Sequence, residues 1–334
     1  MKTYTKKEIG SKMELQEIKK FTRSWCILVG TICLIVGILL GIAISSFGGV
    51  TRKTGSTDIS YESGYTVEPS EITQVINEAY WNYIPTAYIC VGELGPDAQL
   101  YKISDKVERN NLDLERFYTD DNGYMHYSDD NIKDTLVGVD ISTFQDYVDW
   151  ETLSKNKDID FVILRVGYRG YTAGGIMPDS SFEEYKEAVI KYKIPAGVYF
   201  FTQAISYEEG VEEAEYVLEN IKGMKLKYPV IIDSELVWDS EARGDNATNE
   251  QRTDGIVGFC ETIKAAGYTP MIYASRNMFA QCLDMDRLGD YQLWLAHYTN
   301  VSDFPYKYTG WQYTDSGSVE GISGNVDLNL WFKE

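Results

Sequence analysis

The chain has 334 residues, with 31 Lys plus Arg against 51 Asp plus Glu, a formal net charge of −20, and 44% of its residues are apolar. That apolar share supports a sizeable core and excludes wholesale disorder, while the negative charge argues against a nucleic-acid partner, because phosphate contacts need clustered Lys and Arg. Two histidines (His126 and His297) and five cysteines without close pairs disfavour a His-rich metal site, a zinc ribbon or a redox dithiol, so any chemistry is expected to run on carboxylates.

Residues 1–24 carry seven basic residues against three acids, a net +4, and no charged residue follows from Ser24 to Thr51. The run from Trp25 to Phe47 is almost wholly apolar and supplies the ~20 residues that a membrane-spanning helix needs. With Arg23 and Trp25 at its edge and a basic flank before it, it predicts a single-pass signal anchor at 25–47. The tail 1–24 would then be cytoplasmic and the remainder exported, at the cell membrane. Cleavage near Ala43-Ile44-Ser45, giving a secreted protein, is the alternative, although a signal peptide's apolar core is usually only ~7–15 residues.

Residues 48–136 are expected to be an extracytoplasmic linker and small spacer module. Within it, 51–69 is rich in Gly, Ser and Thr, 70–84 predicts a helix capped by Ser70, and Asn122-Gly123 between Tyr-rich flanks predicts a hairpin. Cys90, Cys260 and Cys282 lie outside the apolar run, with Cys260 and Cys282 a candidate disulfide pair.

From 137 to 334 short apolar, β-branched runs alternate with amphipathic stretches. Strands are expected at 136–142, 160–168, 195–202, 228–235, 269–275, 291–298, 310–314 and 325–331. Helices are expected at 149–157, 180–193, 207–222, 249–266 and 276–288, with no room for one between the last three strands. The fold class is therefore α/β, an irregular TIM-like (β/α) barrel with its last helices missing, preceded by a transmembrane helix and a spacer. An open doubly wound sheet is the rival, but GVDISTFQ lacks its Gly-rich phosphate loop.

Active groups of parallel barrels sit at the C-terminal strand ends, where Asp140, Asp233 and Glu235 fall, with Asp327 in the last strand. Asp233 and Glu235, two apart, share one face of their strand and aim into the barrel mouth. Two such carboxylates cannot both ionise cheaply, so one pKa rises, which makes a general acid at neutral pH suited to glycosidic cleavage. Singly, each acid is as much at home as a solvated strand end or a helix cap, and oxygen ligands alone would also suit Mg or Ca. No metal or cofactor is expected from this reading.

Tyr199, Tyr273, Trp294, Tyr298 and Trp311, with Arg165, are candidate substrate-binding residues. They lie near strand ends in a chain with 26 Tyr, 12 Phe and 7 Trp, and aromatic faces with polar handles suit a groove that is apolar on one side and wet on the other.

GVDIS (138–142) followed by Asp149-Trp150, then FVILRVGY, GVYFF, PVIIDSE, GYTPMIYAS, LWLAHY, GWQYT and GNVDLN in order, resemble glycoside hydrolase family 25 lysozymes (N-acetylmuramidases). The resemblance implies hydrolysis of the β-1,4 bond between N-acetylmuramic acid and N-acetylglucosamine in peptidoglycan, with net retention. It places the general acid on Glu235, the orienting or stabilising acid on Asp233, and two further pocket acids on Asp140 and Asp327. Phe200 stands where many members have His after the Tyr of the third strand, and Ser234 where many have an aliphatic residue between the acids. Peptidoglycan strands and the membrane are the expected partners. A non-catalytic wall-binding protein, a scaffold, and a hydrolase of another acetamido-sugar polymer such as chitin are the competing functions.

Overall fold

The computed structural model describes residues 87–92, 99–128 and 135–333. The basic tail, the apolar run at 25–47, the linker at 51–69 and the helix expected at 70–84 lie outside the described residues. Among the described residues no helix is long and apolar enough to cross a membrane.

The barrel strands are β5 (Thr135–Ile141), β6 (Phe161–Arg169), β8 (Ala196–Phe201), β9 (Val230–Asp233), β10 (Pro270–Ser275), β11 (Gln292–Ala296), β12 (Gly310–Gly317) and β13 (Val326–Phe332). The sheet runs β5-β13-β12-β11-β10-β9-β8-β6 and closes through β5–β6 pairing, while β7 (Ile176–Pro178) adds to the edge of β6. All barrel neighbours are parallel except those of β13, which is antiparallel to both β12 and β5.

Helices α1 (Trp150–Leu153), α2 (Phe182–Tyr192), α3 (Tyr207–Asn220), α4 (Asn249–Ala265) and α5 (Arg276–Gln281) fill the connections. Four of the five starts follow from side chains that accept the free N–H groups of a first turn. Asp149, Ser206 and Ser275 cap α1, α3 and α5, and Thr248 with Gln251 forms a reciprocal capping box on α4. Two helices are shorter than the sequence pattern predicts. The first, expected over 149–157, is regular only to Leu153; turn bonds carry on to Asn156, whose side chain then accepts the Asp158 N–H, a local bond that competes with further helix. The last, expected over 276–288, ends at Gln281 and is followed by a 3-10 turn, Met285–Arg287.

Strand alternation divides the core in two. Phe161, Ile163, Ile231, Met271, Trp294 and Trp331 point inward and fill the barrel. Val162, Leu164, Ile232, Ile272, Leu295, Trp311 and Leu330 point outward beneath the helices. Glycines make room for the inward aromatics: a Cβ at Gly138 would strike the Phe161 ring, and one at Gly310 the Trp331 ring. Cys90, Cys260 and Cys282 are free thiols, so the candidate Cys260–Cys282 disulfide is absent.

Residues before the barrel close its helix-poor side. Strands β3 (Phe117–Thr119) and β4 (Met125–Tyr127) form a hairpin there, while β1 (Tyr88–Val91) and β2 (Gln99–Lys102) pair antiparallel beside α5, where the Arg276 guanidinium donates to the Cys90 carbonyl at 2.9 Å. The β3–β4 turn falls at Asn122-Gly123, where Gly123 takes φ +88° and Asp120 accepts from the N–H groups of Asn122 and Tyr124. The Phe117 ring meets Trp311 edge-on at 5.2 Å, Tyr127 meets Phe332 at 5.6 Å, and the Met125 N–H donates to the Tyr313 hydroxyl at 3.2 Å. Aromatic edge contacts of this kind add about 0.5–1.5 kcal/mol each beyond area burial. The outer face of β12 and β13, where helices are missing, is thus covered from the N-terminal side.

Candidate active site

At the C-terminal ends of the parallel strands the barrel opens into a cleft of about 390 Å³. Asp140, Asp233, Glu235 and Asp327 all line it, as do Arg165, Tyr199, Tyr273, Trp294 and Tyr298. Strand parity explains the convergence. Asp140 follows Gly138 on the inward face of β5; Asp233 follows Ile231 on β9, with Glu235 one further inward step beyond the strand end; Asp327 precedes Asn329 and Trp331 on β13. Asp140 and Asp327 are direct cross-strand partners.

Trp311 does not join them. Its register partner on β11 is Leu295, an outward residue, so its indole points behind the sheet, fully buried against Phe117 and Tyr308, with Nε1 donating to the His297 carbonyl at 2.9 Å. The inward residue of that strand is its neighbour, Gln312.

Gln312 organises the floor of the cleft. Its Oε1 accepts from the Tyr273 and Tyr298 hydroxyls at 2.8 and 2.9 Å. Its Nε2 donates to Oδ2 of Asp140 at 3.0 Å and to Oδ2 of Asp327 at 3.3 Å. Asn329 adds a second arm. The Trp294 indole N–H can only donate, so it fixes the amide oxygen of Asn329 at 2.8 Å and turns Nδ2 onto Asp140, also at 2.8 Å. Neither amide stands out among the acids and aromatics of the sequence. The signal that finds them is a lone amide in an otherwise apolar barrel strand, since a buried amide requires partners.

The carboxyls are held partly protonated. Burial and the neighbouring Asp140 charge push Asp327 up to about 9, and a hydrogen bond joins the two. At neutral pH Asp327 therefore carries a proton and donates it to Asp140, which also receives the Asn329 and Gln312 amides. Asp233 is buried and pushed well above the usual carboxylate range, first by loss of water and then by the charges of Glu235 and Asp140. Its Oδ1 has no hydrogen-bond partner among the described residues. Burial and then the Asp140 charge raise Glu235 to about 7. The cation facing this group, Arg165, is already paired: its Nε donates to the buried Asp179 at 2.7 Å, and its guanidinium lies 4.6 Å from the Phe144 ring. Asp179 in turn receives the Thr143 and Ser181 N–H groups, which ties the loop after β5 to the start of α2.

A carboxyl that titrates near neutrality, open to a cleft and set beside an Asp140–Asp327 pair that keeps one negative charge, can deliver a proton and stabilise positive charge in one place. The glycosyl hydrolases family 25 model matches residues 139–322. The chain belongs to glycosyl hydrolases family 25. The matched span runs from β5 to the β12–β13 turn and so contains Asp140, Asp233 and Glu235, while Asp327 lies just beyond it.

Relatives of this family agree in fold. The chain is 26% identical over 195 residues to an autolytic lysozyme of Clostridium acetobutylicum, covering 58% of this chain and 55% of that protein. It superposes on the modular autolysin LytC of Streptococcus pneumoniae with a TM-score of 0.53 and 26% identity, over 73% of this chain and 58% of LytC. The spore cortex lytic enzyme SleM of Clostridium perfringens shares the fold at a TM-score of 0.50 and 24% identity, over 59% and 67% of the two chains. The chain thus spans little more than half the length of the first two relatives.

Proposed function

We propose that this protein is a peptidoglycan hydrolase that cleaves the β-1,4 bond between N-acetylmuramic acid and N-acetylglucosamine with net retention. The observation that carries the reading is Glu235, protonated up to about pH 7 in a cleft that it lines together with Asp140, Asp233 and Asp327. Membership of family 25 supports the same substrate class, and LytC has been solved in complex with a synthetic peptidoglycan ligand.

Glu235 donates its proton to the glycosidic oxygen as the bond to the anomeric carbon breaks. The Asp233 carboxyl, which lines the cleft, engages the substrate's acetamido N–H, which turns the acetamido carbonyl oxygen onto that carbon from the opposite face. Water then adds, Glu235 takes its proton back, and two inversions leave the configuration retained. The Asp140–Asp327 pair, holding one proton, keeps negative charge close to the developing sugar cation.

The apolar run 25–47, with its basic flank, supports anchoring in the cell membrane with the barrel outside, where the wall polymer lies. A tether substitutes effective concentration for charge attraction, which a chain of net charge −20 lacks toward an anionic wall. The test is digestion of purified peptidoglycan, borohydride reduction of the new ends and mass spectrometry. Reduced muramic acid at the ends is expected. Reduced glucosamine ends, or no new ends, would reject the assignment, and faster release from chitin oligomers would move the substrate class.

A further inference from the structure

Three residues beyond Glu235 the chain presents Trp238, whose side chain is 87% exposed although its backbone takes φ +58°. A left-handed backbone is unusual for any side chain and an outlier for a bulky one. The loop is held there deliberately. The two carboxylate oxygens of Asp245 accept the N–H groups on either side of the tryptophan, Val237 at 3.0 Å and Asp239 at 3.1 Å. The buried amide of Gln203 receives the Gly244 N–H at 3.0 Å and donates to the Glu235 carbonyl at 3.5 Å, so one side chain pins both ends of the loop beside the acid. No ring contact or hydrogen bond engages the indole itself among the described residues. Folding thus bears backbone strain and an exposed aromatic without a return within the fold, the mark of a group kept for a ligand.

We propose that Trp238 is a stacking platform for a pyranose ring of the glycan strand just outside the cleft, so that it sets the preference for long strands. The inference rests on the muramidase reading. Three residues span at most about 11 Å, which keeps the Trp238 backbone within that distance of Glu235. The flat, apolar face of an N-acetylhexosamine suits an indole presented this way. The fixed loop spares the ligand the cost of ordering it.

The experiment compares the full chain with Trp238→Ala, Trp238→Phe and Trp238→Gly on long glycan strands and on a tetrasaccharide. Loss of one stacking contact should raise KM for long strands about tenfold in the Ala and Gly variants, with a much smaller effect on kcat. The loss should shrink on the tetrasaccharide, and Phe should recover most of the affinity. Because glycine adopts positive φ freely, Trp238→Gly should melt no lower than the parent, which separates binding from folding. Unchanged KM for long strands, or an equal loss at both lengths, overturns the platform. Should the parent chain cut neither substrate, the muramidase reading fails instead. Binding of long strands to the Glu235→Gln chain, with and without Trp238→Ala, then decides the platform alone, and equal affinity rejects it.

Discussion

Replacing Glu235 by Gln should destroy turnover and stabilise the fold, and the second effect can be worked from the structure. Glu235 shifts from an ordinary carboxyl value of 4.5 to about 7, first through burial and then through the Asp140 charge. Between those values the folded chain keeps a proton that the unfolded chain has released, so stability falls as pH rises across the window and levels off above it. A displacement from 4.5 to about 7 corresponds to about 3 kcal/mol. Gln has nearly the same shape and no charge, so it escapes that cost. Near pH 4 both chains should be equally stable; near pH 8 the variant should be more stable by up to about 3 kcal/mol. Urea denaturation at the two pH values measures the difference, and turnover in the same preparations should fall by about 100- to 10,000-fold. A stability difference that is the same at both pH values, or a variant less stable near pH 8, would show that the surroundings do not hold the carboxyl protonated.

Two further substitutions probe the residues that strand parity assigns. Gln312→Ala leaves the Tyr273 and Tyr298 hydroxyls and two carboxyls without their shared partner; it should cost about 3 kcal/mol in denaturation and lower kcat/KM. Trp311→Ala removes an outward core indole and should cost about 3–5 kcal/mol, measured by the same method, while the folded fraction keeps its KM for glycan. A KM effect without destabilisation would return the indole to the cleft.

The eight barrel strands were legible because each is a short β-branched run bounded by helical periodicity or turn residues. The hairpin at Asn122-Gly123 was legible from its turn chemistry. The direction of β13 was not, since an apolar run reads alike in both senses; its antiparallel registers with β12 and β5 reveal it. The acids at 140, 233, 235 and 327 converge as alternation predicts, whereas Trp311 illustrates the cost of choosing a residue by nearness to a strand end rather than by parity. One step along β12 exchanges a core indole for the amide that organises the site. The covering of β12 and β13 by residues before the barrel depends on Phe117, Met125 and Tyr127 finding partners some 200 residues away, a choice that local pattern does not encode.

Whether Glu235 is the proton donor is decided by the pH dependence of kcat/KM. With Glu235 held at about 7, activity should be retained below that pH and decline tenfold per pH unit above it. A profile that is flat into the alkaline range, or one that declines from the ordinary carboxyl value near 4.5, would exclude Glu235 as the donor.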